Sequence, residues 1–299
     1  MPGSTITFHV LTDFSEVAAN ALHYAVVLAR HTGGSVHLWH LLPSAGSAEA
    51  DMLRRKGYVW SAEQAGVALR EQAAIVQASV PCAATLLTGE VLPQLAAGLG
   101  PGPGQVVVVG NANPAKNIRH TDHSFALHLV QTLLHPLLVV PVTYRAGALP
   151  RRIVLDTDRR AVRLPATAVT IPHLLEQLTS SPEPLTLGAS ATAVDYLLTR
   201  VIPVVVGLHV YTTQTSPTLK EVASSIRQNG LLAGIAHTVT ATRHPSIEEG
   251  IRHAATRHQA DILSFVTRQR LYPGQHFRHS VTAGLLAHSR IPVLTVPEC

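Results

Sequence analysis

Short apolar runs alternate with helix-periodic stretches along most of the chain, the pattern of a parallel sheet covered by helices. Ile6 to Leu11 is apolar and rich in β-formers. From Glu16 to His31, apolar residues recur at Val17, Ala18, Ala21, Leu22, Ala25, Val26 and Ala29, one face of a helix. Gly33 and Gly34 stop it. Val36 to Leu42 predicts a second strand, and Ser61 with Gln64 reads as the capping box of a helix reaching about Ser79. A third strand over Ala83 to Leu87, a helix over Glu90 to Leu99, a Pro-Gly break at 101–104 and a fully apolar strand over Val106 to Val109 follow. A helix from about Asp122 to Leu134 and a strand over Leu137 to Val140 close the series.

The second half repeats this order after a less regular start. Ile153 to Leu155 predicts a strand, and the stretch Arg159 to Arg200 carries helical patches near His173–Leu178 and Ala191–Leu198. Then come a strand over Val204 to Val210, a helix over Pro217 to Gln228 and a strand over Ala236 to Ala241. Ser246 and Glu249 cap a helix to about His258, followed by a strand over Ile262 to Val266, a helix over His279 to His288 and a last strand over Ile291 to Val296. Shifted by 156 residues, His120, His123, Ser124, Leu129, Pro136, Leu138, Val140 and Pro141 fall without a gap on His276, His279, Ser280, Leu285, Pro292, Leu294, Val296 and Pro297. A match that includes two His, one Ser and two Pro points to a duplicated domain. The expected division is 1–145 and 146–299, with a linker at about Thr143 to Pro150.

Composition narrows the class. With 46% hydrophobic and 14% charged residues in 299, two packed cores are feasible and disorder is not expected. No apolar run approaches the ~18 residues of a membrane span. Cys82 and Cys299 make no disulfide framework and fit a reducing compartment, and the N-terminus lacks the pattern of a secretory signal, so a cytoplasmic location is expected. The net charge of +5 comes from scattered Arg, chiefly Arg54-Arg55-Lys56, Arg151-Arg152 and Arg159-Arg160, which reads as a solvated surface or a weak anion-binding one. Aromatic residues at 4% leave little for base stacking, so nucleic acid is not an expected partner. None of the 18 His falls in a zinc-site spacing, and no metal is expected.

The segment Leu11-Thr12-Asp13-Phe14-Ser15, followed by an amphipathic helix, resembles the start of the universal stress proteins. The family's glycine-x2-glycine-x9-glycine-Ser/Thr loop maps onto Gly110, Asn113, His123 and Ser124 in the first half, and onto Val266, Gln269, His279 and Ser280 in the second. The spacing survives in both halves, but Gly110 alone remains of the glycines. The resemblance implies an α/β fold of two tandem doubly wound parallel-sheet domains of the adenine nucleotide alpha hydrolase type, strand order 3-2-1-4-5. It places the ligand crevice between strands one and four, where the winding reverses. It further implies packing of the two domains through the last strands, as an intramolecular pseudo-dimer, with a homodimer also open.

The candidate binding residues are therefore Thr12, Asp13, Gly110, Asn113, His123 and Ser124. Asp13 would meet an adenine or ribose edge, and the loop amides with the following helix N-terminus would meet phosphates. Glycine lets a phosphate approach the backbone. His123 and His279 add bulk there, and β-branched Val266 resists the left-handed region. The second site is expected to be lost and the first weakened, although Asp158 stands where Asp13 does. Asp13, Ser15, Ser124 and Ser280 equally suit helix capping. No nucleophile elbow, Walker loop or carboxylate pair is present, so catalysis is not expected. The expected function is a stress-response or signalling module acting through protein partners without a cofactor. The alternative is an ATP or AMP sensor using the first-domain crevice. An enzyme of the wider adenine-nucleotide class and a binder of anionic polymers stay open as well.

Overall fold

The computed structural model describes residues 5–43, 60–89, 91–112, 125–145, 149–158, 160–179, 204–213, 216–268 and 281–299. Ten strands form one sheet in the order β3-β2-β1-β4-β5-β10-β9-β6-β7-β8. The strands are β1 Thr7–Leu11, β2 Ser35–Pro43, β3 Cys82–Gly89, β4 Gln105–Asn111, β5 Leu137–Pro141, β6 Arg152–Asp156, β7 Val204–Tyr211, β8 Thr238–Arg243, β9 Ile262–Arg268 and β10 Val293–Glu298. The order is 3-2-1-4-5 followed by its mirror, the doubly wound architecture expected from the alternating pattern. All neighbours are parallel except β5 and β10, which pair antiparallel with Val293 opposite Val139, Leu294 opposite Leu138 and Thr295 opposite Leu137.

The described helices are α1 Glu16–Thr32, α2 Ala62–Gln77, α3 Val91–Leu99, α4 Phe125–Thr132, α5 Ile171–Thr179, α6 Leu219–Asn229, α7 Ile247–Arg257 and α8 Val281–His288. Local chemistry sets their ends. Ser15 caps α1 by accepting from the Ala18 amide, and Gly33 ends it in the left-handed region at φ 62°, as its position after the apolar stripe predicts. The Ser61–Gln64 capping box is formed, and a second box, Thr218 with Glu221, starts α6. β8 lies two residues further on than the sequence predicts. The turn over 231–235, between the left-handed Gly230 and Gly234 and with the Ile235 amide bonded to the Leu232 carbonyl, leaves Ala236 and His237 as the connection into β8.

Alternation along the strands splits the apolar residues into two continuous layers. Phe8, Val10, Val106, Val108, Leu138, Ile153, Leu155 and Leu294 face α1, α2, α5 and α6. Leu11, Val107, Val109, Leu137, Val139, Val154, Leu263 and Val293 face α3, α4, α7 and α8. Both layers run across the β5–β10 junction, so the halves share their cores. Fully buried side chains of this kind each contribute about 1.5–3 kcal/mol. Polar contacts follow the same junction: His31 Nε2 donates to the Gln177 carbonyl at 2.9 Å, the Gly104 amide donates to Thr170 Oγ1 at 3.0 Å, and Thr167 Oγ1 donates to the Leu134 carbonyl.

One polar group lies deep in the second layer. His9 on β1 is 4% exposed. Its Nδ1 accepts from Trp39 Nε1 at 2.9 Å, which leaves Nε2 to donate to Gln105 Oε1. Burial pushes the His9 pKa down to about 4 against the Gln105 hydrogen bond, and the neighbouring His37 and His135 push the same way. The unfolded chain binds a proton near pH 6.5 that folded His9 refuses until about pH 4, so this group's contribution is complete above pH 6.5 and falls with pH through that window. Denaturant unfolding of wild type and His9→Asn between pH 7 and pH 4 should therefore show the wild type losing about 2–3 kcal/mol more than the variant. Parallel pH curves for the two would contradict the buried neutral imidazole.

Candidate functional site

In an open doubly wound sheet, the ligand crevice forms where the chain winds away on both sides of the first strand. Here that place is the carboxyl ends of β1 and β4, and again of β6 and β9. Because β5 and β10 are antiparallel, the two crevices open at opposite ends of the strands. The same local scaffold builds both. The Thr12 amide bonds to the Trp39 carbonyl at 2.8 Å, and the Thr157 amide to the Leu208 carbonyl at 2.9 Å. His40 Nδ1 donates to the Thr12 carbonyl at 2.8 Å, and His209 Nδ1 to the Thr157 carbonyl at 2.9 Å. Asp13 Oδ1 accepts from the Ser15 amide at 3.0 Å, and Asp158 Oδ1 from the Arg160 amide at 3.2 Å. Asp158 thus occupies the place of Asp13, as the shared Thr-Asp predicts. The paired histidines His40 and His209 were not singled out from sequence, because the extra residues at the start of the second half break the uniform shift between the halves.

The two crevices then diverge. In the first, Thr12 is buried and its Oγ1 accepts from the Phe14 amide at 3.1 Å. Phe14 sits at φ 64°, a region costly for a bulky residue. The turn holds its ring stacked on His40, with centroids 4.5 Å apart, and 4.9 Å from Trp60. Burial lowers the pKa of His40, against the Thr12 carbonyl and the Asp13 charge, so a neutral ring meets Phe14. Asp13 is exposed and also accepts from the Ser15 hydroxyl, while Ser15 caps α1. Its first role is thus to fix the turn into that helix.

Gly110 lies in β4, one residue before its end, and its packing alone accounts for the missing side chain. A Cβ there would stand 2.5 Å from the Val17 carbonyl oxygen and 2.8 Å from Val17 Cγ1. Glycine therefore lets α1 lie close against β4. Next to it, Asn111 Nδ2 donates to the Leu286 carbonyl of α8 at 2.8 Å, tying the rim of the first crevice to the second half. Asn113, His123 and Ser124, with Gln269, His279 and Ser280, lie outside the described residues.

In the second crevice the gap between β6 and β9 is bridged by a cation of the chain itself. Arg268, the last residue of β9, donates from Nε to Asp158 Oδ2 and from Nη2 to Asp158 Oδ1, each at 2.8 Å. Its Nη1 reaches Glu298 at the end of β10. Such a two-pronged pair is geometrically specific as well as strong. Burial raises the Asp158 pKa, but the Arg268 and Arg160 hydrogen bonds and charges outweigh it, and the net shift is downward. The Asp158 bond in turn raises the pKa of Arg268. Two residues before Asp158, at the end of β6, Asp156 Oδ1 is buried with no hydrogen-bond partner. Its burial, and then the charge of Asp158, push its pKa up to about 7. Among the described residues no three His, Cys, Asp or Glu side chains are placed to hold a metal ion, and no helix is long and apolar enough to cross a membrane.

The sheet order and the paired Thr-Asp turns define an α/β fold in which the two halves repeat one doubly wound arrangement. Residues 7–140 match the model of the universal stress protein family. Among solved structures, the fold is similar to a universal stress protein from Archaeoglobus fulgidus DSM 4304, with TM-score 0.67 and 12% identity over 97% of this chain and 98% of that one. It is also similar to a protein from Pseudomonas aeruginosa UCBPP-PA14 provisionally classed with the same family, with TM-score 0.56 and 12% identity over 99% and 94% of the two chains. At that identity the likeness concerns the fold. No curated protein matches the sequence.

Two substitutions check the site geometry. Gly110→Ala should lower unfolding free energy by about 2–3 kcal/mol without any ligand present, measured by denaturant titration; an unchanged midpoint would contradict the close α1–β4 contact. Asp156 holds its proton in the fold up to about pH 7, whereas the unfolded chain releases it near 3.8, so wild-type Asp156 costs stability as pH rises between these values. Asp156→Asn should therefore stabilise the protein at pH 8 by about 1–3 kcal/mol and give no gain near pH 3.5. This trend opposes that of His9, so the variants rather than the wild-type curve separate them.

Proposed function

We propose that this protein is a universal-stress-type module that acts through protein partners, with nucleotide binding lost in the second half and weakened in the first. The observation that carries this reading is the Arg268–Asp158 bridge across the second crevice. A guanidinium that takes both oxygens of the carboxylate supplies from within the chain the partner that a bound ligand would offer Asp158. Displacing it would leave the carboxylates of Asp158 and Glu298 facing an anionic phosphate chain, an arrangement that opposes a nucleotide electrostatically. In the first crevice, the Phe14–His40–Trp60 cluster fills the space beside Thr12 with the chain's own rings. Gly110, the glycine that survives, is required by Val17.

A second reading, an ATP or AMP sensor in the first crevice, is favoured by Asp13 itself. It is exposed at the end of β1 and, unlike Asp158, meets no cation among the described residues. No cofactor is assigned to the resting protein, and no catalytic role is proposed. Pairing of two chains into a homodimer remains compatible with the reading.

Equilibrium binding of a fluorescent ATP analogue separates the two readings. The proposal predicts no saturable binding at micromolar concentrations and no effect of Asp13→Ala. Saturable micromolar binding that Asp13→Ala abolishes would overturn it in favour of the sensor.

A further inference from the structure

A groove of about 650 Å³ lies on the flank of the second half, at the end of the sheet onto which the first crevice also opens. Arg252, His253, Glu249 and Gln259 of α7 and the residues just after it line one side, and His288 and Arg290, at the end of α8 and in the turn into β10, line the other. It opens beside the amino ends of β9 and β10, the end of the second half opposite its Asp158 crevice. The volume is that of a small-molecule site.

Its charge is arranged unevenly. Arg290 has no hydrogen bond or ion pair among the described residues. Arg252 reaches Glu248 only at 3.8 Å, and the same carboxylate lies 3.0 Å from His288 Nδ1. His253 packs edge-on to His244 at 6.1 Å. Two guanidinium groups and several imidazoles thus converge on one polar space with no metal-type cluster among the described residues. Guanidinium forks suit planar or tetrahedral oxyanions, and imidazole N–H groups add donors.

The duplication supplies an internal comparison. The 156-residue shift, which also carries the start of α3 onto that of α7 and the start of α4 onto that of α8, sets Ala96, Ala97, Thr132 and Leu134 against Arg252, His253, His288 and Arg290. The same backbone positions are small, neutral or apolar in the first half, so the fold does not require the basic set. His135, the counterpart of Ile291, is instead buried and bonded to the Gly100 carbonyl at 2.9 Å.

We infer that the groove between α7 and the α8–β10 turn is a binding site for a small phosphate-bearing anion, held by Arg252 and Arg290 with His253 and His288 as further donors. Glu249 offers an acceptor to ligand hydroxyl groups, and Gln259, whose Oε1 accepts from Arg152, keeps its side-chain N–H groups as donors. The inference does not rest on the reading of the crevices, since none of the four basic residues belongs to either one.

Isothermal titration with inorganic pyrophosphate at low ionic strength tests the inference on the full chain. The expected result is saturable binding with a dissociation constant below about 1 mM, weakened at least about tenfold in an Arg252→Ala/Arg290→Leu double variant that installs the first-half residues, and unchanged in Asp13→Ala. Should the double variant melt early, Arg290→Gln, a single exchange of a groove-lining side chain, is expected to weaken binding several-fold on its own. Absence of saturable binding, equal affinity in the variants, or loss of binding in Asp13→Ala alone would each overturn the inference.

Discussion

The antiparallel pairing of β5 with β10 is the interaction on which the rest of the molecule depends. Each half, taken alone, would end in a largely buried, mostly apolar strand with an open ladder edge, which proteins cover or suffer for. Joining the two edges satisfies both ladders and lines up the inner faces, so the apolar layers above and below the sheet run from one half into the other. It also leaves β3 and β8 as the edges of the ten-stranded sheet. There the carbonyls of Cys82 and Thr88 are met by the amides of Gln77 and Gln94, which occupy part of the β3 edge.

The same pairing sets the two crevices at opposite ends of the strands, so neither constrains the ligand chemistry of the other. What the halves keep in common is the part that folding needs: a Thr amide bonded to the next strand, a His that reaches back to the Thr carbonyl, and an Asp that fixes the turn into the following segment. What they do not share is what lies around that turn. The first half places aromatic rings there, and the second closes the gap with Arg268, Asp158 and Glu298. Retention of the turn and divergence of its surroundings separates what the fold needs from what a ligand in each crevice would meet.

Most of the fold was legible in the chain because apolar runs and helix stripes carry it directly. Val106–Val109 and Leu137–Val140 can only be buried strands, and Ser61 with Gln64, or Gly33 after Ala29, mark helix ends by local chemistry alone. The site was legible in part. Asp13 and its counterpart Asp158 stand where the shared Thr-Asp places them, and Gly110 lies in β4 as expected, though its reason is contact with Val17, which no spacing reveals. The Arg268–Asp158 bridge joins residues far apart in sequence, and nothing local distinguishes Arg268 from the other scattered arginines. His40 and His209 escaped notice because the gapless shift that exposes the duplication fails at the start of the second half, where more chain separates the first two strands.

Native-state hydrogen exchange of the β5 and β10 amides tests the central claim most directly. The account predicts that Leu137–Val139 and Val293–Thr295 exchange only through global unfolding, with protection equal to that of the central strands β1 and β4. Exchange of these amides as fast as those at the outer edges of β3 and β8 would mean that the two halves are not joined through this ladder, and would contradict the account.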